Sequence, residues 1–459
     1  MIGNHKKFDM RLSEVSSSVK GKYFKSSDND FSLHGLSIDS RTTNPGDIFV
    51  AITGENFNGH DFIDNAVSKG ALAAVTEKKL KVNIPTLTVD DSRLALGDIA
   101  YHWRKEFSYP LVAITGSNGK TTVKELISSI FSQQGNVLST IGNLNNEIGV
   151  PLTLLQLTSD YKYAVIEMGA NHVDEIEYLS NLVIPDVAVI TNISEAHLGG
   201  FGTIDNIAKA KSEIFCGLPK SGVAILNAND VYFSYWKEKC GVKNISFGVN
   251  NENADVYAVV DKISPNNEIR IQTPLGEFEV KLQLLGIHNV ANALAATAAA
   301  IACDIPLYSI SKGLGKVSSI AGRLEIKNGV YGCRIIDDTY NANPSSLKAA
   351  INVLTGFPGK HYCALGDMGE LGSNAVELHG KSGELLKNAG IDKLFTIGDL
   401  ASESSKKFGM NAISFSEFDS MSSSIKDEVD SDSTLLIKGS RFMQMEKLVK
   451  KLILNEGNK

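Results

Sequence analysis

The stretch VAITGSNGKTTVKELISSIF, residues 112–131, joins an apolar run to a glycine-containing loop and then to a helical pattern. Apolar residues recur at the spacing of one helix face at Val123, Leu126, Ile127 and Ile130. Glycines let backbone amides approach a phosphate group, and the N-terminal end of the following helix adds positive potential. The stretch therefore predicts a strand, a phosphate-binding loop and a helix, which is a unit of parallel α/β sheets.

The loop is a shortened form of the common phosphate-binding pattern, which would have glycine at position 114, where this chain has isoleucine. In such a loop the lysine neutralises the β- and γ-phosphates and the next hydroxyl ligates Mg²⁺, which assigns these roles to Lys120 and Thr121. We expect the Lys120 side chain to face solvent in the empty loop. An ordinary strand-to-helix turn is the alternative. The residues predicted to bind ATP here are Gly116, Ser117, Asn118, Gly119, Lys120, Thr121 and Thr122.

Composition narrows the class of protein. The 459 residues are 43% hydrophobic and 21% charged, and at roughly 150 residues per domain they predict about three globular domains. The net charge of −7 argues against a general binder of nucleic acid or membrane surfaces, since such proteins carry excess lysine and arginine. The apolar run ANALAATAAAIACDI is too short to cross a bilayer, so we expect no membrane insertion and a cytoplasmic location. We also expect the cysteines to be reduced.

The order of apolar and helical patterns predicts an α/β protein with three domains. We expect a small N-terminal α/β domain over 1–107, a central parallel-sheet domain carrying the phosphate loop over 108–322, and a C-terminal Rossmann-like α/β domain over 323–459. Alternating residues around a Pro-Leu-Gly turn predict a hairpin over 268–284. Asn343 followed by Pro344 predicts the start of a helix in the third domain.

Three polar residues follow predicted strands of the central domain, at the sheet edge where parallel sheets place ligands. They are Glu167, His197 and Lys211. Taken alone, each has a plain structural explanation: a surface carboxylate, a loop histidine and a solvated lysine. Beside a nucleotide loop they become candidates to hold Mg²⁺ against phosphate.

Several motifs together resemble the Mur ligase family across the whole chain. They are, in order, TGSNGKTT, IEMGANHVDEI, TNISEAHLGGFG, AKAKSEIF, LGIHNVANALAA, AGRLEI and DDTYNANP. The shortened loop is that family's form. The resemblance implies an ATP-dependent, ADP-forming ligase that makes an amide bond through an acyl phosphate. Further stretches, including LGDMGELG, resemble members that join D-alanyl-D-alanine to UDP-N-acetylmuramoyl-tripeptide. In these members the first domain would bind the UDP-linked precursor. We expect a monomer.

The resemblance also implies residue roles. Thr121, Glu167 and His197 would ligate Mg²⁺, Lys211 would act as a carbamate ligand, and Lys120 would stabilise the transferred phosphoryl group. Arg323 would reach the γ-phosphate only when the domains close, and Asp338 would accept from the ribose hydroxyls; alone, each reads as a surface charge. Asn289 and Asn292 would meet the adenine side of ATP, with helix capping by Asn289 as the alternative. Weaker assignments place Ser40 and Arg41 at the UDP end and Asn145 along the peptide path.

Two alternatives stay open at this point. One is a different amide ligase of the superfamily, either a Mur enzyme for another amino acid or one similar to folylpolyglutamate synthetase. The other is a nucleotide-gated binding protein without ligase chemistry. For the dipeptide, the motifs TYNANP, GDMGELG and KGSR are candidates, without a choice of side chains.

Overall fold

The computed structural model describes residues 8–19, 22–24, 30–54, 57–194, 198–260 and 268–454. Three main sheets follow one another along the chain, and each lies within one of the predicted segments 1–107, 108–322 and 323–459. The predicted α/β class is therefore confirmed, while the domain boundaries stay a prediction. Among the described residues, no helix combines the length and apolar character needed to cross a bilayer.

The first segment holds a five-stranded sheet in the order β2-β7-β6-β5-β4, parallel except for the β2–β7 pair, and a small antiparallel β1–β3 pair. Its strands are Met10–Arg11 (β1), Lys22–Phe24 (β2), Ser32–Leu33 (β3), Gly35–Ser37 (β4), Asp47–Val50 (β5), Ala73–Thr76 (β6) and Thr86–Thr88 (β7). Its helices are Leu12–Ser18 (α1), Ile63–Ser68 (α2) and Ser92–Arg104 (α3).

The central sheet has nine strands in the order β16-β15-β14-β13-β12-β11-β8-β10-β9. Its strands are Leu111–Thr115 (β8), Val137–Ser139 (β9), Tyr163–Glu167 (β10), Val187–Ile190 (β11), Val223–Asn227 (β12), Lys243–Val249 (β13), Val256–Ala258 (β14), Glu268–Thr273 (β15) and Gly276–Lys281 (β16). Its helices are Lys120–Phe131 (α4), Gly149–Leu154 (α5), Glu175–Val183 (α6), Leu198–Phe201 (α7), Ile204–Ser212 (α8), Phe233–Lys239 (α9), Ile287–Ala302 (α10) and Leu307–Lys316 (α11). The β15–β16 pair is the predicted hairpin, and it adds an antiparallel edge to an otherwise parallel sheet.

The third sheet has the order β17-β18-β22-β19-β20-β21 and is parallel except for β17. Its strands are Glu325–Asn328 (β17), Arg334–Asp338 (β18), Lys360–Gly366 (β19), Lys393–Ile397 (β20), Ala412–Phe415 (β21) and Ser433–Lys438 (β22). Its helices are Pro344–Leu354 (α12), Ala375–Asn388 (α13), Ala401–Phe408 (α14), Phe418–Lys426 (α15) and Glu446–Leu452 (α16). Asn343 caps α12 and Pro344 is its first residue, as predicted.

The first and central segments pack through one continuous apolar core, which α3 bridges. Trp103 Nε1 donates to Leu157 O (3.1 Å), and the buried Arg104 guanidinium donates to Val183 O (2.9 Å). Because α3 uses its side chains to satisfy carbonyls of the next segment, the two segments are joined by buried hydrogen bonds as well as by apolar packing.

The central strand β8 lies between β10 and β11. The carboxyl ends of parallel strands meet at one edge of a sheet, so the loop after β8 lies beside Glu167 at the end of β10 and Thr191 just after β11. This arrangement positions the candidate site.

Candidate active site

The phosphate loop is short because β8 continues through the position of the missing glycine. Ile114 is a buried strand residue in the apolar core beneath α4. Gly116 has φ 142° and Gly119 has φ 82°, a region that favours glycine. A Cβ on Gly116 would lie 2.0 Å from Thr191 Oγ1, and one on Gly119 would lie 2.4 Å from Asn292 Oδ1. Both glycines are therefore required by conformation and by close neighbours.

The loop backbone is held by the segment that follows β11. Asn118 N donates to Asn192 Oδ1 (3.0 Å), and Asn118 O accepts from Thr191 Oγ1 (2.6 Å). Ser117 N donates to Asn192 O (2.9 Å), and Asn118 Nδ2 donates to Ser194 Oγ (2.8 Å). These bonds fix the loop before any ligand binds, which lowers the ordering cost of anion binding. Thr122, the last residue predicted for the loop, is buried in the first turn of α4.

A buried network joins the loop to the end of β10. Thr121 Oγ1 donates to Glu167 Oε2 (2.9 Å), and Asn145 Nδ2 donates to Glu167 Oε1 (2.9 Å). Glu167 is 2% exposed, so it is not the surface carboxylate that its residue type alone would suggest. The structure thus brings together Thr121 and Glu167, two of the three predicted metal ligands that it describes, and places Asn145 against Glu167.

Arg323 reaches this network from the start of the third segment. Its Nη2 donates to Thr121 Oγ1 (2.9 Å), and its guanidinium lies 4.2 Å from the centroid of the Tyr340 ring. That Arg323 reaches the γ-phosphate only when the domains close stays a prediction, and the contact observed is the one with the loop hydroxyl.

The position of Lys120 also differs from the expectation. Its amine does not face solvent but donates to Gly116 O (2.7 Å) and Ser117 O (3.2 Å) of its own loop. Burial lowers the pKa of Lys120, and the carboxylates of Glu167 and Glu370 oppose that effect.

Lys211 lies on α8 and is 1% exposed, so the solvated lysine suggested by its residue type is excluded. Among the described residues it makes no hydrogen bond or ion pair, and its amine lies 5.3 Å from the centroid of the Phe201 ring. Burial, with the Lys120 charge, lowers its pKa to about 7. A neutral amine is accordingly accessible near neutral pH. His197, the fourth residue of the predicted metal group, lies outside the described residues.

Asn289 and Asn292 lie in the first turns of α10, against the loop. Asn292 Nδ2 donates to Asn289 Oδ1 (2.9 Å), and Asn289 Nδ2 donates to Leu285 O (2.7 Å). Helix capping by Asn289 is wrong, because Gly286 is the N-cap. Both side chains are buried, and Asn292 lies beside Gly119 of the loop with Asn289 hydrogen-bonded behind it.

Asp338 at the end of β18 accepts from the buried Lys438 amine and from Leu324 N (3.3 Å). Asp338 is therefore not the isolated surface charge that its residue type alone would suggest. His288 lies nearby: burial lowers its pKa to about 4, with Asp338 and Lys438 acting on it in opposite directions. Sequence reasoning missed His288 and Lys438, although both stand in quoted motifs, because a lone histidine or lysine gives no signal of burial.

The remaining predicted substrate residues lie in the first segment. Ser40 is buried, and Arg41 is exposed and paired with Asp39 (2.7 Å). No hydrogen bond or ion pair found among the described residues joins either one to the phosphate loop, so the structure does not bring them into the Thr121 network.

The chemistry of the donor set fits Mg²⁺ in part. No group of three histidine, cysteine, aspartate or glutamate side chains able to hold a metal occurs in the described part of the chain. The Thr121 hydroxyl and the Glu167 carboxylate are adjacent oxygen donors of the kind that a hard cation prefers, and a guanidinium already lies beside the hydroxyl. The position therefore accepts positive charge.

Comparisons with known proteins agree with this geometry. Family models match over three ranges: the catalytic domain of the Mur ligase family at 32–104, the Mur ligase middle domain at 114–300, and the Mur ligase glutamate ligase domain at 322–441. The UDP-N-acetylmuramoyl-tripeptide–D-alanyl-D-alanine ligase of Escherichia coli (strain K12) is 41% identical over 92% of this chain and 94% of its own length.

Solved structures give the same result. MurF from Acinetobacter baumannii superimposes with a TM-score of 0.91 at 36% identity, covering 96% of this chain and 98% of that one. The MurF ligase from Thermotoga maritima, solved in complex with ADP, superimposes with a TM-score of 0.81 at 27% identity, covering 91% and 96%. The resemblance inferred from the motifs is confirmed, and this chain belongs to the Mur ligase family.

Proposed function

We propose that this protein is an ATP-dependent ligase that joins D-alanyl-D-alanine to UDP-N-acetylmuramoyl-tripeptide, with release of ADP and phosphate, in the assembly of a peptidoglycan precursor. The observation that carries the proposal is the buried network of Thr121, Glu167 and Arg323 around the phosphate loop. The likeness to D-alanyl-D-alanine ligases over nearly the whole chain supports this choice of substrates.

The reaction begins when a carboxylate oxygen of the tripeptide attacks the γ-phosphorus of ATP and ADP leaves. The amine of the dipeptide then attacks the acyl phosphate, loses a proton, and the tetrahedral intermediate expels phosphate. Because the first step brings two anions together, positive charge must be placed between them. Lys120 and Arg323 provide it, the first from the loop and the second from the third segment.

Residues around these two cations would hold the rest of the nucleotide. The amides of the loop from Gly116 to Thr122 would bind the phosphates at the N-terminal end of α4. Asn289 and Asn292 would meet the adenine side and Asp338 the ribose hydroxyls. Asp338 is pre-oriented for this role, since the buried Lys438 already fixes its carboxylate.

Mg²⁺ would be held by Thr121, Glu167 and His197, with Lys211 as a carbamate. It would supply charge that offsets the phosphate oxygens of ATP. The support from this chain is the oxygen pair of Thr121 and Glu167 and the buried, unpaired state of Lys211 among the described residues. A lysine with a pKa of about 7 can react with CO₂, and the product is a carboxylate-like ligand.

Residues outside the nucleotide site would bind the UDP-linked peptide. Ser40 and Arg41 would bind the UDP end, and Asn145, which donates to Glu167, would line the peptide path. We further propose a cytoplasmic monomer that binds neither nucleic acid nor membranes, in keeping with the net charge of −7.

The test is phosphate release by the purified protein with ATP, Mg²⁺ and each tripeptide precursor, the third residue being lysine or diaminopimelate. D-alanyl-D-alanine should be required for turnover, and L-alanine, D-glutamate, lysine and glutamate should not replace it. Turnover with one of those amino acids instead would favour another amide ligase of the superfamily. ATP binding without turnover in the presence of both substrates would favour a nucleotide-gated binding protein.

A further inference from the structure

The three motifs without assigned side chains, TYNANP, GDMGELG and KGSR, meet at one buried serine. Ser440 Oγ accepts from Gly369 N (2.8 Å) and donates to Ala342 O (3.3 Å), so a single hydroxyl joins all three. Ser440 is buried. The motifs are far apart in sequence, and their meeting indicates one composite site at the edge of the third sheet.

The GDMGELG motif spans residues 366–372 and forms a loop after β19, which we call the acceptor loop. A histidine fixes it from the other side. His379 Nε2 accepts from Met368 N (2.9 Å), while Nδ1 lies 2.6 Å from Ala375 O. Ser440 and His379 therefore hold the two residues immediately before Glu370, so the position of Glu370 is set by its own domain.

Glu370 contacts the central domain through its backbone. Its carbonyl accepts from Gly199 N (3.1 Å) at the start of α7. A Cβ on Gly199 would lie 3.4 Å from this oxygen and 3.3 Å from Gly372 N, so the two segments are closely packed. This contact places the acceptor loop against α7 of the central domain, at the junction of the two domains.

The conformation of Glu370 is unusual for its residue type. Its φ is 63°, in the left-handed region that favours glycine. The motif has glycines before and after Glu370, yet this position holds a glutamate. Glycine would adopt this conformation at lower cost, and non-glycine residues kept there are enriched at functional sites. The glutamate is exposed, so packing of its side chain in a core does not explain its presence.

Glu370 lies within electrostatic reach of the phosphate loop. Its carboxylate raises the pKa of Lys120, which places its charge within electrostatic reach of the phosphoryl-transfer lysine. Arg323 adds positive charge beside Lys120. An acceptor dipeptide carries an ammonium group that must come to this same place, where those cations would repel it. Binding it requires a carboxylate on the acceptor side.

We propose that Glu370 binds the α-ammonium group of the acceptor dipeptide and so positions the amine for attack on the acyl phosphate. This inference rests on the proposed function, because it names the residue that recognises the acceptor. Ser440 and His379 are the positioning residues that hold the acceptor loop. The ligand chemistry is a short peptide with a free amino terminus.

The test compares two variants of Glu370 with a matched control. Glu370→Gln removes the charge at nearly constant size, and Glu370→Gly removes the side chain while easing the left-handed backbone. Glu377→Gln removes the same charge from the same domain, where Glu377 is exposed and paired only with Lys381 among the described residues (2.6 Å). The measurement is the Kd of D-alanyl-D-alanine and of propionyl-D-alanine, which lacks the amine, for enzyme holding precursor and a non-hydrolysable ATP analogue.

We expect both Glu370 variants to weaken the binding of D-alanyl-D-alanine by about tenfold to a hundredfold, because one hydrogen-bonded charge pair is lost. Propionyl-D-alanine should bind wild type and variants equally, and Glu377→Gln should match wild type for both ligands. Nucleotide affinity should not change. Thermal unfolding should show Glu370→Gly to be at least as stable as wild type.

Two results would overturn the inference. One is wild-type dipeptide affinity in Glu370→Gly, which would show that only the backbone conformation matters. The other is weaker binding of the nucleotide with unchanged affinity for the dipeptide, which would make Glu370 a partner of Lys120 alone. A wild-type enzyme that turns over no dipeptide would refute the proposed function itself, whereas normal turnover with unaffected variants would refute only the role of Glu370.

Discussion

The buried hydroxyl of Thr121 offers a sharp test of the site, because it links two charged groups at once. It donates to Glu167 Oε2 and accepts from Arg323 Nη2, each at 2.9 Å. Thr121→Val keeps the shape of the side chain and removes only the hydroxyl. Both charged groups then lose a partner in a mostly buried setting, which is the costly way to break a hydrogen bond.

The expected loss of stability follows from these contacts. A hydrogen bond to a charged group contributes about 1.5–3 kcal/mol, so two of them set an upper limit of about 6 kcal/mol. Arg323 is only half-buried, so water can replace part of its bond, and we expect about 2–3 kcal/mol. For a domain of this size that shifts the melting temperature by about 4–12 °C.

The assay is thermal unfolding of the ligand-free protein, followed by phosphate release with all substrates. Thr121→Ser keeps the hydroxyl and serves as the control, with near wild-type stability. Thr121→Val should also lose at least about a hundredfold in turnover, the usual effect of removing one group that stabilises transition-state charge. A double-mutant cycle with Arg323→Met should show a coupling of about 1 kcal/mol. Wild-type stability in Thr121→Val, with additive effects in the cycle, would refute the network.

Four further outcomes follow from the same geometry. Lys120→Ala should fold normally and lose about 3–4 kcal/mol of transition-state stabilisation, measured as turnover; near-normal turnover would contradict the loop assignment. Lys211→Ala should be inactive and regain activity with formate if the lysine acts as a carbamate, whereas rescue by small amines alone would contradict that role. Arg323→Ala should reduce the compaction that an ATP analogue and acceptor produce in solution scattering, and a wild type that does not compact would refute this closure. Burial lowers the pKa of His288 from 6.5 to about 4. Between these two pH values the folded state binds fewer protons than the unfolded state, so the free energy of unfolding should fall as the pH drops from 6.5 to about 4. His288→Leu should flatten this dependence of stability on pH.

The sequence was sufficient for the fold class and for the elements with a strong local signal. The strand before the phosphate loop, the 268–284 hairpin and the capped start of α12 depend on neighbouring residues, so their patterns can be read directly. Thr121 and Glu167, the proposed metal ligands, could be paired in advance because parallel strands end at one edge of a sheet.

Side-chain positions between domains could not be predicted, because they depend on distant contacts. Lys120 was expected to face solvent, yet it turns onto the carbonyls of its own loop. The Arg323 hydrogen bond to the Thr121 hydroxyl joins residues 202 positions apart, so no local pattern could show it. The role of Ser440 had no sequence signal, since it arises only when three separated motifs fold to one point.

Asn343 shows why local and long-range roles are hard to separate. Its side-chain oxygen accepts from Ser346 N (2.8 Å) and caps α12, which the sequence predicts. Its Nδ2, which the cap leaves available, donates to Asn118 Oδ1 in the phosphate loop (2.9 Å). One amide therefore caps the start of a helix in the third domain and contacts the nucleotide loop in the central domain. A nucleotide that shifts Asn118 must act on α12 through this bond, and Arg323 adds a second link to the same loop, so phosphate binding and the placement of the third domain are coupled through side chains whose local roles are already fixed.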